Sequence, residues 1–482
     1  MKENGSEKLS LLTKIGFGAG DIYGGGSFTL VGVYYMYFLT DVVRISPALV
    51  GILILVSKIW DAVNDPLMGI ITDRTRTRFG RRRPYLLGGV VFIFISYVLL
   101  WYPVRFDSEY ARFAFMLGAY IFFDTIITMV MVPYNALASE LTLNYNERTS
   151  LTSVRMVFSM LSSILCAVIP MEIIKGIPDV YTGHIVMSAT FGLFFALPFI
   201  ATFFTTKERK EFQKEPPEFN IIKSYREPFK IKTFVRAILM YLFAFLSMDV
   251  VMTVVIYYMT YYLGRGGETN FVFGALLVAQ VISIPLFYTM AKKTSKKTGF
   301  IAALFVWMVL MLLSFFITPG SYPAAIYVFA AFVGIATGGV IVMIYSIFPD
   351  LPDVDELSTG MRREGIYAGL ITFSRKFSSA MALFLISQTI ALVGYVQPRT
   401  ETIAGITRII QQEQSGNFIL AIRIIFAVVP LVLLGACLWA ALGYPLSPTI
   451  HDRLRNFLQA RRDGAAGKDA DREEKALKEI LL

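Results

Sequence analysis

The chain has 482 residues, 55% of them hydrophobic and 17% charged. Soluble domains carry about 25% charged residues, so this composition, with 40 Phe and a mean hydropathy of +0.60, excludes an ordinary soluble domain and fits a chain solvated mostly by lipid. The formal net charge of +10 would point to nucleic acid in a soluble protein, but the basic residues sit in a few loops between apolar runs, where membrane topology accounts for them.

A membrane span needs about 20 mainly apolar residues, and twelve candidates follow in chain order. Residues 1–14 are polar, and the run from Ile15 lacks a small-residue cleavage site, so it reads as an uncleaved first span. Spans are expected near 15–38, 48–71, 85–102, 113–136, 151–173 and 184–205. A polar stretch, 207–234, carries Pro216 and Pro217 and reads as a linker. Spans resume near 236–262, 270–290, 299–317, 324–347, 367–391 and 418–444. The stretch 395–417 reads as a short amphipathic helix, and 447–482 as a partly helical polar tail.

This is the pattern of an all-α membrane protein of twelve transmembrane helices in two six-helix bundles, 1–206 and 235–446. Lys and Arg concentrate in the loop with Arg74, Arg76, Arg78, Arg81, Arg82 and Arg83, in the loop with Lys292, Lys293, Lys296 and Lys297, in the linker and in the tail. The alternate loops are nearly bare of them, which places both termini and the linker in the cytoplasm.

Ionisable groups at bilayer depth cost at least ~2.5–3.5 kcal/mol each and usually face a cavity or a partner. They occur here at Asp21, Lys58, Asp61, Asp65, Asp124, Arg155, Asp249, Arg375 and Lys376. The second span reads S-K-I-W-D-A-V-N-D-P. At ~100° per residue, Lys58, Asp61 and Asp65 fall within about 60° of one another, with Asn64 flanking them. Two carboxylates one turn apart repel unless a cation or a proton intervenes, and two carboxylates with an amide oxygen suit a hard cation. Pro66 frees a backbone carbonyl beside them. The plainer alternative is an internal salt bridge between Lys58 and one aspartate.

Asp21 lies in G-F-G-A-G-D-I-Y-G-G-G, where the glycines admit either a ligand or a neighbouring helix. Asp124 and Asp249 read as lone acids that bond a neighbouring helix. Arg155 is near a span end and has water within reach, whereas Lys376 is deep enough to favour a cavity. Asp73 follows Gly69 where the second span ends, placed to pair with a nearby Arg or to cap a helix. The stretch P-D-L-P-D-V-D-E-L-S-T-G-M-R-R-E-G mixes Asp350, Asp353, Asp355, Glu356 and Glu364 with Arg362 and Arg363, as a cytoplasmic segment that exchanges ionic partners.

No G-x-S-x-G, P-loop or H-E-x-x-H motif is present, and His184 and His451 are the two histidines. No enzyme chemistry, no ATP-driven transport and no cofactor beyond a coupling ion is expected. Cys166 and Cys437 lie in apolar runs and suggest neither a disulfide framework nor a metal site.

G-I-I-T-D-R-T-R-T-R at 69–78 resembles the loop motif of the major facilitator superfamily. K-I-W-D-A-V-N-D-P-L-M-G at 58–69 and D-L-P-D-V-D-E-L-S-T-G-M-R-R-E-G at 350–365 are similar to the two signatures of the glycoside–pentoside–hexuronide:cation symporters, the melibiose-carrier family. The resemblance implies a two-bundle carrier in the bacterial inner membrane with a central cavity opening alternately to each side. It implies a Na⁺ or H⁺ site of Asp61, Asn64, Asp65 and Thr128, and solute contacts from Asp21, Arg155, Thr372 and Lys376. It implies gating roles for Asp73, Arg74, Asp350, Asp353, Arg362 and Glu364.

Melibiose carriers have an acid two residues before the fourth-span proline and a tryptophan two residues after it. Here Met131 and Asn135 stand there, so the galactoside-recognising pair is lost, and Asn135 becomes the solute-side residue. The chain also resembles the Na⁺-dependent lysophospholipid carriers of vertebrates. The expected partners are a small solute and membrane lipid, with no nucleic acid. A glycoside, pentoside or uronide leads, a lysolipid or other amphiphile follows, and a transport-silent sensor or scaffold comes third.

Overall fold

The computed structural model describes residues 8–142, 145–208, 226–360, 364–403, 406–462 and 470–482. In lipid every backbone N–H and C=O has to be satisfied within its own segment, so the apolar runs form helices. A first set comprises α1 (Leu11–Ala19), α2 (Asp21–Leu30), α3 (Pro47–Arg74), α4 (Arg83–Leu100), α5 (Glu109–Leu141), α6 (Tyr145–Lys175), α7 (Val180–Ala196) and α8 (Pro198–Thr205). A second comprises α9 (Lys232–Tyr257), α10 (Thr269–Lys293), α11 (Lys296–Leu313), α12 (Ala325–Ile347), α13 (Leu351–Thr359), α14 (Glu364–Leu392) and α15 (Gly416–Leu442). The tail forms α16 (Pro448–Arg462) and α17 (Ala470–Leu481).

Among the described residues, eleven helices are long and apolar enough to cross a membrane. The first apolar run is not one of them because it is helical in pieces. Helices α1 and α2 meet at Gly20, and two π-helical turns follow at Val31–Tyr35 and Phe38–Val42. Gly20 itself keeps right-handed helical angles, φ −59° and ψ −25°, so the helical path continues through it. Helix α9 ends the same way, in a π-helical turn at Tyr258–Tyr262.

Within the first set α6 packs on α1 and α2, α5 on α3 and α4, and α7 on α4. Within the second, α12 packs on α10 and α11, and α9 on α14 and α15. The sets meet where α3 packs on α14 and α6 on α10. At the end away from Leu11 they are also tied through Asp41. Tyr261 and Tyr395 donate their hydroxyls to its two carboxylate oxygens, at 2.6 and 2.8 Å. Gln388 donates to the Ala48 carbonyl nearby, at 3.0 Å.

The amphipathic helix expected at 395–417 is not there. Strands β1 (Arg399–Ile403) and β2 (Ile406–Ile410) pair antiparallel from Arg399↔Ile410 to Ile403↔Ile406. The text R-T-E-T-I and I-T-R-I-I is dense in β-branched residues, which suit a pleated strand and lose χ1 freedom in a helix. Thr402 and Thr407 bond across the pair at 3.1 Å. Asp179 caps α7 through the Thr182 amide and also accepts from the Thr407 amide, both at 2.8 Å. The Thr182 hydroxyl and these amides hold its carboxyl down at about 2.

At the opposite end Arg81 and Arg82 both hold Glu140, at 2.7 and 3.0 Å. The tail is docked rather than loose: Leu477 and Leu481 are fully buried, and the Thr233 hydroxyl donates to the Leu481 carbonyl at 2.6 Å. Arg453 grips Glu473 with a two-pronged bond, 2.9 Å on each side.

Helices α10 and α12 approach closely at Gly334, where an added Cβ would lie 2.2 Å from the Leu276 carbonyl oxygen. A backbone atom has no room to yield, and overpacking costs ~1–3 kcal/mol. Gly334→Ala is expected to lower the melting temperature of the detergent-solubilised protein, whereas Gly320→Ala, which meets nothing within 4 Å, leaves it unchanged.

Candidate cation and solute site

Helix α3 carries the site because its charged residues recur at helical spacing on one long apolar segment, with Pro66 inside it. Asp61 is buried, and Asp65, one turn on, is partly open. Thr128 of α5 sits between them, its Oγ1 3.2 Å from Asp61 Oδ1 and 2.9 Å from Asp65 Oδ1. A hydroxyl has a single proton to donate, so it serves one carboxylate at a time. Three oxygens thus converge where one hydrogen is available, a donor set that suits a small hard cation or an added proton. Asn64 is buried beside them, and its Nδ2 has no partner among the described residues.

The positive charge facing this pair comes from the other set of helices. Lys376 of α14 places its ammonium 2.9 Å from Asp61 Oδ2 and bonds Asp65 as well. Lys58 turns the other way. It lies 3.3 Å from Asp124 Oδ1, stays 3.9 Å from Asp61, and packs over the Tyr120 ring at 5.4 Å. Ser57 donates to the second oxygen of Asp124. The Lys58–aspartate bridge within α3 is thus the longer of two, the shorter running to α5, and Asp124 is not a lone acid.

Two further pairs complete the region. Arg155 of α6 bonds Asp21 of α2 at 2.9 Å and lies over the Tyr134 ring at 5.1 Å. Arg155 is thus held inside the protein rather than extended to water. Arg375 of α14 grips Asp249 of α9 at 2.5 and 2.8 Å, with the Phe245 ring 4.9 Å below. Asp249 is likewise not a lone acid. Five carboxylates (Asp21, Asp61, Asp65, Asp124, Asp249) therefore face four cations (Lys58, Arg155, Arg375, Lys376). The excess is one negative charge, shared by Asp61, Asp65 and Asp124, which have Lys58 and Lys376 among them.

The other expected residues are placed as follows. Thr372, one turn before Lys376, and Asn135, about two turns beyond Thr128, are both exposed. Asp73 is still within α3, and Arg74 ends it, exposed. Asp350 is held by Lys296 at 2.5 Å, and Asp353 by His451 at 3.2 Å. Arg362 and the side chains of Asp73 and Glu364 lie outside the described residues. The Asp41–Tyr261–Tyr395 cluster went unexpected. An acid at the end of an apolar run, T-D-V-V, was its only signal, since the tyrosines come from distant segments.

Residues 16–448 match the MFS/sugar transport protein family. The chain is 30% identical to the inner membrane symporter YicJ of Escherichia coli over 81% of this chain and 84% of that protein. It is 26% identical to the glucuronide carrier protein homolog of the same organism, over 87% and 93%. It is 22% identical to sodium-dependent lysophosphatidylcholine symporter 1-B of Danio rerio, over 98% and 94%. The inward-open structure of the xylose transporter XylE from E. coli superposes with a TM-score of 0.59 at 14% identity, over 90% and 96% of the two chains, a likeness of fold. By that family match over most of its length, the chain belongs to the MFS/sugar transport protein family of the major facilitator superfamily. It is a multi-pass integral membrane protein and a cation-coupled symporter.

Breaking a buried pair by removing one partner costs ~3–5 kcal/mol, because the other charge is left uncompensated. Lys58→Met is expected to destabilise the purified protein by about that much in thermal unfolding, and Lys58→Met with Asp124→Asn to recover most of the loss.

Proposed function

We propose that this carrier moves one monovalent cation, Na⁺ or H⁺, together with a glycoside, pentoside or uronide by alternating access. The single observation that carries this reading is the crowding of Asp61 and Asp65 around the one hydroxyl of Thr128, with Asn64 beside them, in a region one cation short. Among the described residues no group of three His, Cys, Asp or Glu converges, and two carboxylates with a hydroxyl suit a monovalent ion. In the absence of that ion Lys376 acts as a tethered substitute. When the ion binds, Lys376 is released toward the cavity, where Asp21, Arg155, Thr372 and Asn135 form the solute site with it. Each ligand then raises the affinity for the other, by linkage.

In this reading the interrupted helical path Leu11–Val42 is the twelfth span, and the chain forms two bundles, 1–206 and 235–446, a division supported by the packing of α6 on α1 and α2 and of α12 on α10 and α11. The linker 207–234, the tail 447–482 and both termini are cytoplasmic, and the membrane is a bacterial inner membrane. Asp73, Arg74, Asp350, Asp353, Arg362 and Glu364 form the inner gate, with Lys296 and His451 as exchangeable partners. A second reading, a lysolipid as solute, is supported by the Danio rerio relative. Competition by lysolipids but not by sugars would favour it.

Uptake into inverted and right-side-out vesicles under imposed Na⁺, Li⁺ and H⁺ gradients tests the site. Asp61→Cys and Asp65→Cys are each expected to abolish cation stimulation. Uptake that stays cation-dependent in both variants would sink the assignment.

A further inference from the structure

The Arg375–Asp249 pair has no part in the cation site, yet its geometry is that of a recognition group. Arg375 is 34% exposed in its side chain while Asp249 is 9% exposed. The guanidinium is held end-on: Nη1 donates to one carboxylate oxygen and Nη2 to the other. An arginine has five N–H donors in a fixed plane, so the Nε–H and the outer Nη2–H remain as a second, parallel fork. Arg375 makes no other hydrogen bond among the described residues. One face of the plane rests on Phe245 at 4.9 Å, and Asp249 fixes the direction of the open edge. A parallel pair of N–H donors is the complement of a carboxylate.

Lys376 is the next residue in the chain, and its ammonium becomes free when a cation takes its place between Asp61 and Asp65. Charge counting then discriminates between solutes. The empty region carries one excess negative charge. A cation with a neutral solute brings it to zero. A cation with a carboxylate-bearing solute returns it to the empty value. Building on the symport reading above, we propose that Arg375, positioned by Asp249, is a specificity residue that binds a carboxylate on the solute. Carrier and load then cross the membrane with the same charge as the empty carrier, and transport is electroneutral.

The inference is tested on the purified full chain, in detergent and in proteoliposomes, with p-nitrophenyl β-glucuronide and p-nitrophenyl β-glucoside as probes. The variant is Arg375→Gln with Asp249→Asn, which leaves no buried charge unpaired. In Na⁺, wild type is expected to bind the glucuronide at least ~10-fold more tightly than the glucoside, a difference of about 1.4 kcal/mol. The double variant is expected to lose that preference. Wild-type glucuronide uptake at a fixed Na⁺ gradient is expected to be unchanged by an imposed potassium-diffusion potential. A wild type that binds the two probes equally or binds neither, a double variant that keeps the preference, or potential-driven glucuronide uptake each overturns the proposal. Thermal protection by Na⁺ reports on the cation site separately. If Asp61→Cys removes that protection while the probes fail, the carboxylate site is wrong and the cation site stands. If wild type shows no Na⁺ or pH-dependent protection, the symport reading itself fails.

Discussion

A single ammonium, that of Lys376, stands between two carboxylates that share one helical face. Two like charges ~4 Å apart repel by about 4 kcal/mol at an effective dielectric of 20, and of the two Asp61 is buried while Asp65 is partly open. Lys376 offsets one of the two charges, and the region as a whole stays one cation short. Because α3 and α14 belong to different helix sets, this compensation is also a contact between the sets. Whatever displaces Lys376 changes the electrostatics of the site and the tie between α3 and α14 in one event. That is the physical form a coupling between ion binding and helix movement takes.

The remaining pairs serve this imbalance by being internally neutral. Lys58 is occupied by Asp124, Arg155 by Asp21 and Arg375 by Asp249. Each of these three cations therefore has a partner within its own helix set, whereas Lys376 reaches Asp61 and Asp65 from the opposite set. Both arginines lie over an aromatic ring, Tyr134 or Phe245, which supports a guanidinium without consuming its in-plane donors. A buried ion pair of this type adds little net stability, and its orientation of an exposed donor edge is the more consequential property.

Much of this architecture was legible in the text of the chain. The span pattern follows from hydropathy alone, and the shared face of Lys58, Asp61 and Asp65 follows from helical periodicity, since all lie on one segment. The pairings were not legible in the same way. Lys376 meets Asp65 across 311 residues and Arg375 meets Asp249 across 126, and nothing local in the text encodes such a distance. Thr128 entered only through resemblance, for the same reason. The hairpin at 399–410 was misread because its strands are five residues each, too short for alternation to stand out against a helical period. The run at 15–38, expected as a first span, is not among the eleven span-length helices because π-helical turns break it into shorter pieces.

The hairpin has a mechanical consequence. It belongs covalently to the second set of helices, between α14 and α15, yet it is fastened to the first. Thr407 is bonded to Asp179, Thr400 to Arg44 and the adjoining Gln411 to Tyr37. A hydrogen bond of this kind contributes only ~0.5–1.5 kcal/mol net. In the proposed alternating-access cycle the hairpin would act as a strap with releasable stitches, adding friction to a parting of the two sets on that side without making their closure permanent.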